Sequence, residues 1–207
     1  MNFEKEKQET ALFMRRLYDR GLTTCSGGNV SQRIGDIILI TPSQTDKAYI
    51  QAEQIAEIGI NGENHTPHLI SSMETAMHLA IYQCRNDVNA IVHAHPVTAT
   101  AFATSNTEIN CKLTGETRAI IGVPINASYA LMGTDALAER VAEAAKKANV
   151  VLMENHGIIT FGKNLLFAFD RMEVLEAAAK QTLITHLLGN KKEIPLNDLN
   201  EIDKLFS

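Results

Sequence analysis

Apolar residues recur along this chain at two different spacings, and the alternation between them outlines the elements. From Glu4 to Arg20, Leu12, Met14, Leu17 and Tyr18 keep helical spacing, and Gly21 supplies the stop expected just past a helix end. Ser71 to Arg85 repeats the pattern through Met77, His78 and Ile81, with Ser71 or Ser72 placed to accept the first free backbone N–H groups. Thr134 to Lys147 predicts a third helix, capped by Thr134 or Asp135 and closed by two lysines. Leu165 to Leu188 predicts a long fourth helix that stops at Gly189, and Thr98 to Thr104 a short one.

Between these lie short apolar runs of the kind that form buried strands. They are Ile37 to Thr41, closed by Pro42; Ile55 to Ile60, entering an Asn61-Gly62 turn; Val88 to His95, ended by Pro96; and Val150 to Met153. Gly157 breaks the last run and Ile158 to Phe161 resumes it. Thr23 to Ser31, TTCSGGNVS, reads as a polar loop of small residues. Helices alternating with short strands predict a layered α/β or α+β fold.

Composition narrows the function. At 207 residues, with 45% hydrophobic residues, no repeats and five prolines that fall singly, the chain suits one domain. A formal net charge of -5, spread rather than blocked, argues against nucleic acid or an anionic membrane as partner. No apolar run approaches the roughly 20 residues of a spanning helix, and MNFEKEKQET lacks a signal-peptide core, so a cytoplasmic protein is expected. Cys25, Cys84 and Cys111 are odd in number and form no CxxC pair, which fits a reducing compartment. Trp is absent, and aromatics at 5% leave the core to Ile, Leu, Val, Ala and Met and provide no stacking platform for single strands.

The chemistry concentrates in IVHAHP. His93 and His95 stand two apart on a predicted strand and so project from one face. A single histidine is most often a hydrogen-bonded core residue, but two at this spacing suit a divalent ion such as zinc. A zinc site that keeps an open position for substrate takes three protein ligands. His156, in MENHG, is the candidate third ligand, because Gly157 lets the chain turn beside it. The sequence after HAHP, PVTATAF, contains neither the glutamate of a cupin nor the Asp-His of a metallo-β-lactamase, and the mid-chain position argues against a barrel amidohydrolase. The SGGN segment, Ser26 to Asn29, can let backbone N–H groups encircle an anion.

TTCSGGNVS, ILITPS, SSMETAMHLAIYQCRNDVNAIVHAHP, YALMGT and MENHGIITFG, in this order and spacing, resemble the class II aldolase and adducin family from about Phe3 to Gly189. The resemblance implies a single-domain, three-layer αβα fold with a central, mainly antiparallel sheet over residues 1–189. It leaves 190–207 as a tail, either mobile or packed near the active site. It implies one catalytic zinc per subunit on His93, His95 and His156, Glu74 as general acid and base, and a homotetramer with active sites between subunits. The phosphate pocket it implies uses Gly28, Asn29, Ser43 and Ser72. Two positions depart: Gln44 stands where the family has Gly, and Met73 replaces one serine of a pair. If position 44 needs a positive φ, Gln costs about 1 kcal/mol there.

The activity implied is cleavage of a small sugar 1-phosphate, such as fuculose 1-phosphate or a deoxypentulose 1-phosphate, to dihydroxyacetone phosphate and an aldehyde. Zinc on the carbonyl oxygen would stabilise the charge that develops as the C–C bond breaks. Related enzymes include dehydratases, 4-epimerases and decarboxylases, and adducin carries a metal-free domain without turnover. Glu rather than Asp at position 74 favours carbon–carbon cleavage over epimerisation. Burial should raise the Glu74 pKa and a nearby cation lower it, so the net sign is open. His78 and Glu154 neighbour these motifs; a structural role is expected for His78, and Tyr129 receives no role.

Overall fold

The computed structural model describes residues 3–206. Its centre is a seven-stranded sheet of order β3-β2-β1-β4-β7-β6-β5. The strands are β1 (Asn29–Ile34), β2 (Ile37–Ile40), β3 (Ala56–Gly59), β4 (Ala90–Ala94), β5 (Ile125–Ala127), β6 (Val150–Met153) and β7 (Gly157–Gly162). All neighbours are antiparallel except β5 and β6. The helices are α1 (Glu4–Asp19), α2 (Thr75–Cys84), α3 (Val97–Ala103), α4 (Gly115–Ile121), α5 (Asp135–Ala145), α6 (Leu165–Leu187) and α7 (Leu196–Phe206).

Strand alternation assigns the two faces. Ala90, Val92 and Ala94 of β4 join a core with Leu17 and Met14 of α1, Phe102 of α3, and Phe169, Met172 and Leu175 of α6. Ile91 faces the other way, into a core with Ile81 and Tyr82 of α2 and Leu137 and Val141 of α5. Two helical layers thus sandwich one sheet, the three-layer αβα architecture expected. Buried on both faces, the central strands β4, β6 and β7 read as nearly continuous apolar runs.

Four details differ from the sequence reading. The predicted loop Thr23–Ser31 ends in strand β1, whose NVSQRI lacks an apolar run because its polar residues are buried with partners. Ser31 Oγ bonds His78 Nδ1 at 2.7 Å and Tyr82 Oη at 2.8 Å, and Gln32 Nε2 donates to Thr10 Oγ1 at 2.8 Å. Helix α2 begins later than expected; Glu74 occupies the N-cap position, and neither Ser71 nor Ser72 caps the helix. Short α4 and β5 escape the periodicity because each spans too few residues to repeat it. The segment after Gly189 carries α7, which packs on α4 through the buried Leu199 and an Arg118–Asp203 ion pair at 2.6 Å.

Candidate active site

Antiparallel pairing brings the C-terminal end of β4 beside the starts of β1 and β7. Asn29 pairs with His93, and Ala94 pairs with Ile158. His93 therefore points into the α2 layer at one end of the sheet, with His95 one residue past the strand. The β6–β7 hairpin supplies His156 from its tight turn, where the His156 N–H donates to the Met153 carbonyl at 3.1 Å. Ring centres lie 4.7 Å apart for His93 and His95, 5.0 Å for His93 and His156, and 5.6 Å for His95 and His156.

Gly157 acts differently from the sequence expectation. The positive φ of the turn falls on Asn155, at 54°, and not on Gly157. Gly157 is required by contact instead: a Cβ there would stand 2.5 Å from His95 Cδ2 and 2.8 Å from the Ala94 carbonyl. Gly28 does combine both demands, with φ 67° and the His93 carbonyl 2.6 Å from where a Cβ would sit.

The donor set fits a metal ion. One nitrogen from each of the three histidines lies within 4.8 Å of the others. His93 Nδ1 hydrogen-bonds the Ile158 carbonyl at 2.8 Å, which as the N–H tautomer leaves the Nε2 lone pair free to ligate. Among the described residues, buried His93 Nε2 and His156 Nδ1 have no hydrogen-bond partner of proper geometry. Burial and the neighbouring His93 and His156 hold His95 down to about pKa 3, so its ring is neutral and can ligate.

Glu74, at the start of α2, closes the remaining side. Its Oε2 lies 3.0 Å from His93 Nε2 and its Oε1 2.9 Å from His156 Nε2, and Asn29 Nδ2 donates to Oε2 at 2.8 Å. Burial pushes this carboxyl up, but the contacts with His93 and His156 outweigh it and hold it well below the usual carboxylate range. Burial likewise disfavours a charged His93, yet Glu74 raises that ring above its ordinary value.

The candidate anion-binding residues fall on three converging segments. Asn29 Nδ2 reaches Ser72 Oγ at 3.3 Å, which also accepts the Glu74 N–H at 3.3 Å. Ser43 lies in the turn after β2, with its N–H donating to the Ile70 carbonyl at 3.0 Å. Gln44 has φ 56°, the left-handed conformation in which a side chain costs roughly 1 kcal/mol. Met73 projects outward, largely exposed.

The remaining candidates are placed apart. His78 is fully buried and its ring lies in the Ser31–Tyr82 hydrogen-bond chain; burial, with His93, lowers it to about pKa 3, and its link to Glu74 is the helical bond from its N–H to the Glu74 carbonyl at 3.2 Å, not one to the carboxylate. Glu154 is exposed and accepts the Tyr129 N–H at 2.9 Å, outside the histidine group. Ser31, which the sequence reading passed over, is the residue that anchors His78. The alternation of Asn29 and Ser31 in a strand facing α2 is the signal that would have found it.

Comparison with known proteins agrees with this geometry. The sequence model of the class II aldolase and adducin N-terminal domain matches residues 8–183. An L-fuculose phosphate aldolase of Methanocaldococcus jannaschii is 36% identical over 88% of this chain and 98% of its own. A 5-deoxy-D-ribulose 1-phosphate aldolase of Bacillus thuringiensis is 29% identical over 100% of this chain and 97% of its own. A solved L-fuculose 1-phosphate aldolase superposes with TM-score 0.92 at 32% identity, covering 100% of this chain and 98% of that one. Such relatives mark the protein as an enzyme of the lyase type. With the matched domain spanning the sheet and all three histidines, the chain belongs to the class II aldolase and adducin family.

Proposed function

We propose that the protein is a zinc-dependent aldolase that cleaves a small ketose 1-phosphate, such as fuculose 1-phosphate or a deoxypentulose 1-phosphate, to dihydroxyacetone phosphate and an aldehyde. The observation that carries this reading is a carboxylate, Glu74, set against two of three converging histidines whose donor atoms suit a divalent ion. His93, His95 and His156 would hold the zinc. When bound, it supplies Lewis acidity at the substrate carbonyl.

The chain's own residues perform the remaining tasks. Asn29 fixes one oxygen of Glu74, so the carboxylate approaches the reacting carbons from a set direction. A substrate oxygen entering the histidine cluster competes with that carboxylate and frees it to carry a proton. As the C–C bond breaks, the substrate hydroxyl that becomes the aldehyde oxygen gives up its proton, and Glu74, acting first as base and then as acid, takes that proton and returns it to the carbon left with the electron pair. Gly28, Asn29, Ser43 and Ser72 bind the phosphate. The reading extends to residues 1–189 as the aldolase domain with 190–207 as its appended tail. It extends also to a cytoplasmic protein, supported by three cysteines that are all free, and to a homotetramer, supported by exposed Leu183, Leu187 and Leu188 at the end of α6.

The test is turnover of zinc-loaded protein on a panel of ketose 1-phosphates, including deoxy- and methylthio-pentuloses, with dihydroxyacetone phosphate as the product detected. Its release is the expected result. Loss of substrate without it would transfer the site to dehydration, epimerisation or decarboxylation.

A further inference from the structure

Lys47 is the anomaly of the candidate site. Its side chain is 1% exposed, yet among the described residues it forms no ion pair; its ammonium donates only to the Pro42 carbonyl. An ammonium carries three donors, so a buried one with a single neutral acceptor is poorly compensated. Burial alone lowers its pKa from 10.5 to about 8. Asp46, its neighbour in sequence, is exposed and turns its carboxylate to the Ala48 N–H at 3.0 Å.

The position of this cation gives the anomaly direction. Lys47 N–H donates to the Cys25 carbonyl at 2.8 Å, tying the small-residue loop to the turn after β2. The carbonyl that its ammonium holds belongs to the residue before Ser43, in the turn that keeps Gln44 at φ 56°. Across the three segments that frame the anion pocket, residues 23–29, 41–47 and 69–74, Lys47 is the only Lys or Arg. In the same loop, the buried Thr23 hydroxyl has no hydrogen-bond partner among the described residues and packs against Gly27 and Gly28.

We propose that Lys47 is a specificity-determining residue whose ammonium, held beneath the turn at Ser43 and Gln44, provides the positive charge that selects a phosphorylated substrate. The inference rests on the sugar-phosphate reading above and adds to it a residue outside the family motifs. A dianionic phosphate monoester would gain a charge that the neutral donors Asn29, Ser43 and Ser72 do not offer. Lys47 would thereby offset the loss of a glycine at position 44 and of a serine at position 73.

The test is binding of inorganic phosphate to zinc-loaded protein by titration calorimetry at pH 7, for wild type, Lys47→Arg, Lys47→Gln and Lys47→Met. Gln keeps a donor for the Pro42 carbonyl without the charge, and Arg keeps the charge. Circular dichroism and metal content establish that each variant is folded and loaded. The expected result is phosphate affinity at least tenfold weaker for Gln and Met and within about threefold of wild type for Arg, with KM for a ketose 1-phosphate rising in parallel and kcat little changed. Equal phosphate affinity in wild type and a folded Gln or Met variant would overturn the proposal and leave Lys47 as a brace for the turn. If wild type instead binds no phosphate and cleaves an unphosphorylated sugar, the substrate reading fails first and this proposal with it. Cleavage of the phosphate ester with KM unchanged in Lys47→Gln sinks this proposal alone.

Discussion

The histidine cluster and the Pro42–Lys47 turn meet at the same end of the sheet but are held by different means. Backbone fixes the histidines: β4 and β7 set His93 by register, a three-residue hairpin turn presents His156, and Gly157 admits the His95 ring. In the turn, side chains add to the backbone bonds of Ser43 and Lys47. Thr45 Oγ1 and Lys47 Nζ both donate to the Pro42 carbonyl, and Gln44 sits in a conformation that its side chain disfavours. A site held by backbone register tolerates little change at its glycines, whereas one held in part by side chains can be retuned a residue at a time.

The sharpest way to divide the two regions is to separate metal from chemistry. Glu74→Gln should retain the metal and lose roughly 10²- to 10⁴-fold in kcat, whereas His95→Ala should lose both metal and activity. Metal analysis beside turnover decides it, and a fully active Glu74→Gln removes Glu74 from the mechanism. Next in size is the charge buried in the turn. Because Lys47 titrates near 8 in the fold and near 10.5 in the unfolded chain, the unfolded state binds more protons between these values. Stability of the wild type relative to Lys47→Met should therefore rise with pH from about 8 to about 10.5, by up to roughly 3 kcal/mol. Denaturant melts across that range should show no such rise if the lysine reaches solvent.

Two smaller effects sharpen the contrast. Gly157→Ala should push the His95 ring aside and weaken metal binding about 10- to 100-fold, while Glu74 stays in place; competition with a chelator measures it. Unchanged affinity would mean that the ring has room to shift. Gln44→Gly should relieve the left-handed strain and stabilise the protein by about 1 kcal/mol, less the entropy that glycine gains when unfolded. The melting temperature should then rise by about 2 °C, and a fall would show that the Gln44 side chain stabilises the turn by more than its backbone costs.

Much of this was legible in the chain. Helices α1, α5 and α6 follow from 3.6-residue spacing and their Gly or Thr ends, and β4, β6 and β7 from short apolar runs, because one-sided or complete burial imposes those patterns directly. Strand β1 was hidden: Ser31 and Gln32 are buried as partners of His78 and Thr10, so their polarity resembles a loop. The histidines are legible by spacing, but Glu74 is not. Nothing local distinguishes it from a surface carboxylate at a helix start, and only the family resemblance singled it out.

By itself the sequence determined helices alternating with short strands in a layered α/β or α+β fold, the histidine pair on one strand face, and a third histidine beside a glycine, since each depends on residues close in the chain. Only the tertiary structure decided that Asn29 stands opposite His93 and holds Glu74, that Gly157 serves the His95 ring rather than the turn, and that Lys47 is buried. These depend on strand register and on which segments close over one another. A lysine 25 positions before one pocket serine and four after another carries no mark, in one dimension, of whether its charge faces water or the interior.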